Sequence, residues 1–222
     1  MKPVTEAKTG RHCTWAVVPA KSLQHGKSRL STVLVGEDRV RFARGLLEHV
    51  LGVLRASPVE GVLIATNGDD VAELALRAGA SVLRDQGDEP STSPRRPRAL
   101  AAVVDRALHF VATRGASAAV VMMADLPLLE ARDVEALTGA LVDHDIVLAR
   151  DHLGRHTNAL AVAPPTAIET CFGSEDSFAE HCAAARAAHL RLAILDSDRI
   201  AFDVDGPADH LAFTGRRPGA ET

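Results

Sequence analysis

The run Val120-Val121-Met122-Met123-Ala124-Asp125-Leu126-Pro127 constrains the fold of this chain more than any other stretch. An unbroken apolar run leads into one carboxylate, and a Leu-Pro pair then stops any strand. A strand without polar alternation has no solvent face, so it is covered on both sides, as in the middle of a parallel sheet. Asp125 then falls at the carboxyl end of that strand, where open α/β sheets bind their ligands. A carboxylate there needs a positive partner, such as a magnesium ion carrying a nucleotide, or else it caps the helix that follows Leu126-Pro127-Leu128-Leu129. The run by itself leaves both readings open.

The remaining chain repeats the pattern of strand then helix. Strands are expected at residues 15–19, 62–66, 81–84, 145–149 and 192–195. Between them, apolar residues recur at helical spacing, for instance Val40, Ala43, Leu46, Leu47, Val50, Leu51 and Leu54 within residues 36–56. Further helices are expected at 71–78 with Asp69 or Asp70 as cap, at 98–114, at 130–142, and from Asp176 or Ser177 to about His189. With 222 residues, no repeat and no linker, this reads as one three-layer α/β domain with a mostly parallel sheet. That domain is expected over residues 15–213, with a disordered lead-in at 1–14 and a frayed tail at 214–222.

Bulk properties remove several classes. A net charge of -4 offers no basic face for polymeric nucleic acid. The absence of tyrosine argues against base stacking on exposed rings. No apolar run approaches the ~20 residues of a membrane span, and the N-terminus lacks the apolar core of a signal peptide. Cys13, Cys171 and Cys182 are too few for a disulfide framework and are expected as free thiols in a cytoplasmic protein.

Two segments carry charge in a way that suggests phosphate chemistry. After the first strand, Ala20 to Leu30 brings Lys21, Lys27 and Arg29 toward one place, without the glycine spacing of a P-loop. Three cations there suit a triphosphate, although a solvated basic loop has the same composition. Near the end, Phe202-Asp203-Val204-Asp205-Gly206-Pro207 alternates so that Asp203 and Asp205 share one face of an extended segment. Two such carboxylates repel and call for a cation, and Asp125 would complete an oxygen site suited to magnesium. His152 and His156 have a spacing of four but no helical partner, which makes zinc a weak reading.

Five pieces in order then resemble one family: Val18-Pro19-Ala20-Lys21 with Lys27-Ser28-Arg29-Leu30, Ala124-Asp125-Leu126-Pro127-Leu128, Thr157-Asn158-Ala159-Leu160, Phe172-Gly173 with Ser177-Phe178, and Asp203-Val204-Asp205-Gly206-Pro207. This combination is similar to the phospholactate/phosphoenolpyruvate guanylyltransferases of deazaflavin coenzyme biosynthesis, whose nucleotidyltransferase fold resembles the molybdenum-cofactor guanylyltransferases. The resemblance implies GTP and a phosphorylated three-carbon acid as substrates, the acid being 2-phospho-L-lactate, phosphoenolpyruvate or 3-phospho-D-glycerate. It implies Mg2+ on Asp125 and Asp205, with Asp203 as a further candidate, and an acid pocket at Thr157, Gly173 and Ser177. Lys21, Lys27 and Asp125 become the catalytic candidates, and Lys21, Lys27, Arg29 and Arg98 the nucleotide-binding ones. A homodimer is compatible with this reading. The chain departs from the family in two places. Arg96-Pro97-Arg98 stands where the family carries Gly-Leu-Asn, and Arg95, Arg96 and Arg98 are read instead as a lid over the triphosphate. Gly173 and Ser177 are one residue further apart than the family pattern, so Ser174 is an alternative to Ser177. Two other readings compete: the same fold with another nucleotide or acid, and a nucleotide-binding regulator without turnover.

Overall fold

The computed structural model describes residues 12–85 and 99–215. Seven strands form one sheet: β1 (Thr14–Pro19), β2 (Gly61–Thr66), β3 (Ser81–Arg84), β4 (Ala118–Met122), β5 (Ile146–Arg150), β6 (Thr157–Val162) and β7 (Leu192–Ile194). Their order across the sheet is β3-β2-β1-β4-β6-β5-β7, and every pairing is parallel except the two made by β6. The helices are α1 (Glu37–Arg55), α2 (Asp69–Arg77), α3 (Ala99–Thr113), α4 (Ala131–Ala140), α5 (Ser177–Ala187), α6 (Asp198–Ala201) and α7 (Pro207–Gly215).

The apolar run at 120–124 behaves as its composition demands. Val120, Val121 and Met122 are fully buried, and their side chains divide between two cores. On one face Val120 and Met122 join Ala16, Val18 and Ile64 beneath α1, α2 and α4; on the other Val121 joins Val17 and Leu63 beneath α3 and α5. Each such side chain contributes roughly 1.5–3 kcal/mol by leaving water, so a strand covered on both faces is strongly held in register. A third, smaller cluster joins Leu30, Leu46 and Val204, with Phe42, Phe202 and Phe213 packed around it. It fastens the short 3-10 turn at Ser28–Thr32 and the 202–205 segment to α1 and α7.

Several local expectations shift. The N-cap of α2 is Gly68, and Asp69 and Asp70 lie inside the first turn rather than before it. Gly68 sits where a Cβ would lie 2.6 Å from the Cα of Ser22, so only glycine allows the two backbones to approach. Asp176 occupies the N-cap of α5 without a capping bond from its side chain. Residues 202–205 are irregular rather than a strand, yet Val204 is buried while Asp203 and Asp205 turn the other way. The expected alternation therefore survives without sheet hydrogen bonds, because burial of Phe202 and Val204 alone fixes the two faces.

Candidate active site

The loop after β1 is held from two sides. The Asp70 carboxylate accepts from the backbone N–H of Leu23 at 2.8 Å and from the Ser22 hydroxyl at 3.2 Å. Arg39 of α1 donates to the carbonyl oxygens of Gly26 and, at 2.8 Å, of Gln24. These anchors present Lys27 in a left-handed backbone conformation, φ 54°, which a non-glycine residue adopts at a cost of about 1–3 kcal/mol. The Lys27 ammonium bonds to Asp125 and, at 2.8 Å, to Asp205. Arg29 stands 3.8 Å from the second oxygen of Asp205, and Lys21 is exposed on the same loop.

Asp125 lies just beyond the end of β4, and the Val204 N–H donates to its backbone carbonyl at 3.2 Å. That bond ties the turn after β4 to the 202–205 segment. Oxygens of Asp125, Asp203 and Asp205 consequently lie within 4.8 Å of one another. Asp125 is thus no helix cap: Glu130 occupies the N-cap of α4. Burial and then the neighbouring Asp125 and Asp205 carboxylates push the Asp203 carboxyl up to about 6. Burial acts on Asp205 in the same direction, but Lys27, followed by Arg29, outweighs it and holds that carboxyl below its usual range. For Lys27 burial opposes the charge, and the Coulombic pull of Asp125 and Asp205 overcomes it, raising its pKa. One ammonium therefore compensates part of a three-carboxylate cluster. Three carboxylates against one bonded ammonium leave negative charge over, and an oxygen-rich site of that kind suits a hard divalent cation.

A bulge in β6 sets the surroundings of this cluster. The register with β5 slips between Ala149 and Arg150, which pair with Ala159 and Thr157, leaving Asn158 as the extra residue. Adjacent side chains are thereby aimed at separate sites. The Asn158 amide donates to the Ile200 carbonyl at 2.9 Å and to Asp203 at 3.2 Å. Thr157 meets α5 instead: its hydroxyl lies 2.9 Å from Nδ1 of His181, and its backbone N–H donates to the Ser177 hydroxyl at 3.0 Å. Because Nε2 of the fully buried His181 accepts from the Cys171 N–H at 2.8 Å, the neutral ring carries its hydrogen on Nδ1 and donates it to Thr157. Thr157 and Ser177 are both nearly inaccessible. Gly173 is nearby in the chain with φ 83°, and a Cβ there would come within 3.2 Å of Leu100. Ser174 donates to Glu180.

A cleft of about 640 Å³ opens at the carboxyl ends of β1, β2 and β4. Lys21, Lys27, Asp125 and Asp205 line one part of it, and Leu100, the residue facing Gly173, lines another. Structure thus gathers Lys21, Lys27, Arg29, Asp125, Asp203 and Asp205, and separately gathers Thr157 with Ser177. His152 comes to 3.8 Å from Asp203 while His156 pairs with Asp151, so the two histidines meet different carboxylates. Arg95, Arg96 and Arg98 lie outside the described residues. Neither Asn158, which directly follows Thr157, nor Asp133, whose spacing from Glu130 is that of a capping box, stands out as a site residue in the sequence. Asp133 is buried and accepts from the Glu130 N–H at 3.0 Å, the Ser197 hydroxyl at 2.9 Å and Arg199 at 2.7 and 2.8 Å.

Comparison with known proteins bears on the family and the fold. The family model described as "Guanylyl transferase CofC like" matches residues 14–214. The phosphoenolpyruvate guanylyltransferase of Sphaerobacter thermophilus is 39% identical over 206 residues, covering 92% of this chain and 94% of that protein. The 2-phospho-L-lactate guanylyltransferase of Methanothermobacter thermautotrophicus is 30% identical over 196 residues, covering 88% of this chain and 82% of that protein. Among solved structures, a protein of Desulfovibrio desulfuricans G20 described as a nucleotide-diphospho-sugar transferase superposes with a TM-score of 0.73. It shares 16% identity, with 94% of this chain and 90% of the other covered, and at that identity the likeness concerns the fold alone.

Proposed function

Because the chain belongs to the family of CofC-like guanylyl transferases, we propose that it joins the guanylyl group of GTP to the phosphate of a phosphorylated three-carbon acid and releases pyrophosphate. Phosphoenolpyruvate is the first candidate acid, since the relative from Sphaerobacter is named for it; 2-phospho-L-lactate and 3-phospho-D-glycerate follow. The product would serve the biosynthesis of a deazaflavin coenzyme in the cytoplasm. The observation that carries the reading is the convergence of Asp125, Asp203, Asp205 and Lys27 beside a cleft at the strand ends.

In this reading a phosphate oxygen of the acid bonds to the α-phosphorus of GTP. The bond from that phosphorus to the bridging oxygen breaks, and its electron pair leaves with pyrophosphate. An acid phosphate is already ionised near neutral pH, so no general base is needed, and the protein's task is positioning and charge compensation. Asp125 and Asp205, with Asp203 as a third ligand, would hold magnesium, which when bound neutralises phosphate charge as the leaving group forms. Lys27, already within reach of both carboxylates, would turn its ammonium to phosphate oxygens, joined by Lys21 and Arg29 on the same loop. Arg98 is assigned to the nucleotide on sequence grounds. On the family resemblance Thr157, Gly173 and Ser177 are assigned to the acid, with the half-buried Ser174 as the alternative to Ser177. The Thr157 hydroxyl keeps a hydrogen to donate, and reaching it requires the nearly inaccessible Thr157 and Ser177 to be uncovered. Pyrophosphate release measured with GTP and each of the three acids tests the proposal. Release that requires both an acid and GTP is expected, and none with any of the three would remove it.

A further inference from the structure

The cleft extends along the sheet away from the carboxylates, and its far part contains a second charged arrangement. Asp85 follows β3, placed by its backbone N–H donating to the Thr66 carbonyl at 2.9 Å. In the order β3-β2-β1-β4, three strand spacings of ~4.8 Å put it about 14 Å across the sheet from the end of β4 that leads to Asp125. Its carboxylate is paired with Arg106 of α3, and both side chains line the cleft. Asp85 is mostly covered, at 18% exposure, whereas Arg106 is half exposed. Leu100 and Val103, one to two turns earlier on α3, add apolar wall to the same cleft. None of this is needed for charge compensation at the reacting phosphorus.

We infer that Asp85 and Arg106 read the base of the nucleotide, and that they select guanine. The inference rests on the proposed use of a nucleoside triphosphate, and it adds which groups distinguish one base from another. A guanine edge presents an acceptor, O6, beside two donors, N1–H and the N2 amine. An ionised carboxylate offers only acceptors and a guanidinium only donors, so the pair complements that edge in order, Arg106 toward O6 and Asp85 toward N1–H and N2. An adenine edge presents a donor and then an unprotonated ring nitrogen, which would face the carboxylate oxygen with lone pair against lone pair. A base loses its hydration on entering beside Leu100 and Val103, so a mismatched donor or acceptor there stays unpaired and is rejected strongly.

Direct binding of GTP, ITP and ATP to the full chain with magnesium tests this without depending on turnover. ITP differs from GTP only in lacking the N2 amine. The wild-type chain is expected to bind GTP about 10- to 100-fold more tightly than ITP, and ATP more weakly again. In Asp85→Asn the GTP affinity should fall by a similar factor and the GTP-to-ITP ratio should drop toward one. Arg106→Gln, which leaves the carboxylate in place, should weaken GTP and ITP alike and keep their ratio, since both bases carry O6. An unchanged GTP-to-ITP ratio in Asp85→Asn, or equal binding of GTP and ATP by the wild type, would overturn the inference. The two proposals separate cleanly: Asp85-dependent GTP binding without pyrophosphate release with any acid would leave this inference standing and remove the transfer. Transfer with a ratio indifferent to Asp85 would do the reverse.

Discussion

Lys27 shows how much one side chain settles at this site. Its backbone is left-handed and its ammonium spans Asp125 and Asp205, so a strained residue is held where three carboxylates meet. Removing one carboxylate leaves that ammonium a partner, which makes Asp125→Asn a test of chemistry and not of folding. Turnover should fall at least 100-fold while the unfolding midpoint stays close to that of wild type. Wild-type rates at limiting magnesium would contradict the assignment. Thr157 is a different case, because its hydroxyl accepts from a buried histidine. Thr157→Val should raise the KM for the acid about 10- to 100-fold with little change in the KM for GTP, as expected for a lost hydroxyl donor to a charged group. It should also cost about 1–3 kcal/mol of stability by leaving Nδ1 of His181 without this partner. Equal increases in both KM values would place Thr157 outside the acid site.

At the scale of elements, the site depends on how the segment after β7 is tied to the turn after β4. Asp133 on α4 holds Ser197 and Arg199, which flank the start of α6, and the chain from α6 continues directly to Asp203 and Asp205. The pair is partly buried, with Asp133 at 2% and Arg199 at 34% exposure, and breaking it leaves the guanidinium only the more distant Glu130 carboxylate, 4.0 Å away. Asp133→Asn should lower the urea-unfolding midpoint at neutral pH, by less than the loss of a fully buried ion pair because the guanidinium is about a third exposed. Burial would raise the Asp133 carboxyl, but the Arg199 hydrogen bonds outweigh it and hold it below its ordinary 3.8. A depressed folded pKa stabilises above the unfolded value and is lost as pH falls through the folded one. The difference between wild type and Asp133→Asn should therefore be full at pH 6 and shrink steadily below pH 4. A difference that does not change with pH would show that the carboxylate charge is not what Arg199 binds.

Across the whole molecule, what the sequence made legible follows from burial. Continuous apolar runs marked β4 and its neighbours, and helical periodicity marked α1, because both patterns record which faces leave water. Asp203 and Asp205 were legible for the same reason: Phe202 and Val204 must be buried, so the residues between them turn outward. The antiparallel direction of β6 and its bulge at Asn158 were not, since strand direction and register depend on partners far along the chain. The roles of Asp133 and Asp85 were hidden likewise, for their partners Arg199 and Arg106 are 66 and 21 residues away. Local pattern thus revealed the carboxylates, while the contacts that orient them needed the fold. The central claim is that this arrangement transfers a guanylyl group, and the mass of the product formed from GTP and phosphoenolpyruvate tests it most directly. A species equal to GTP plus the acid minus pyrophosphate is expected, formed in step with pyrophosphate release and dependent on magnesium. Pyrophosphate accompanied only by free GMP, or no consumption of GTP with any of the three acids, would contradict it.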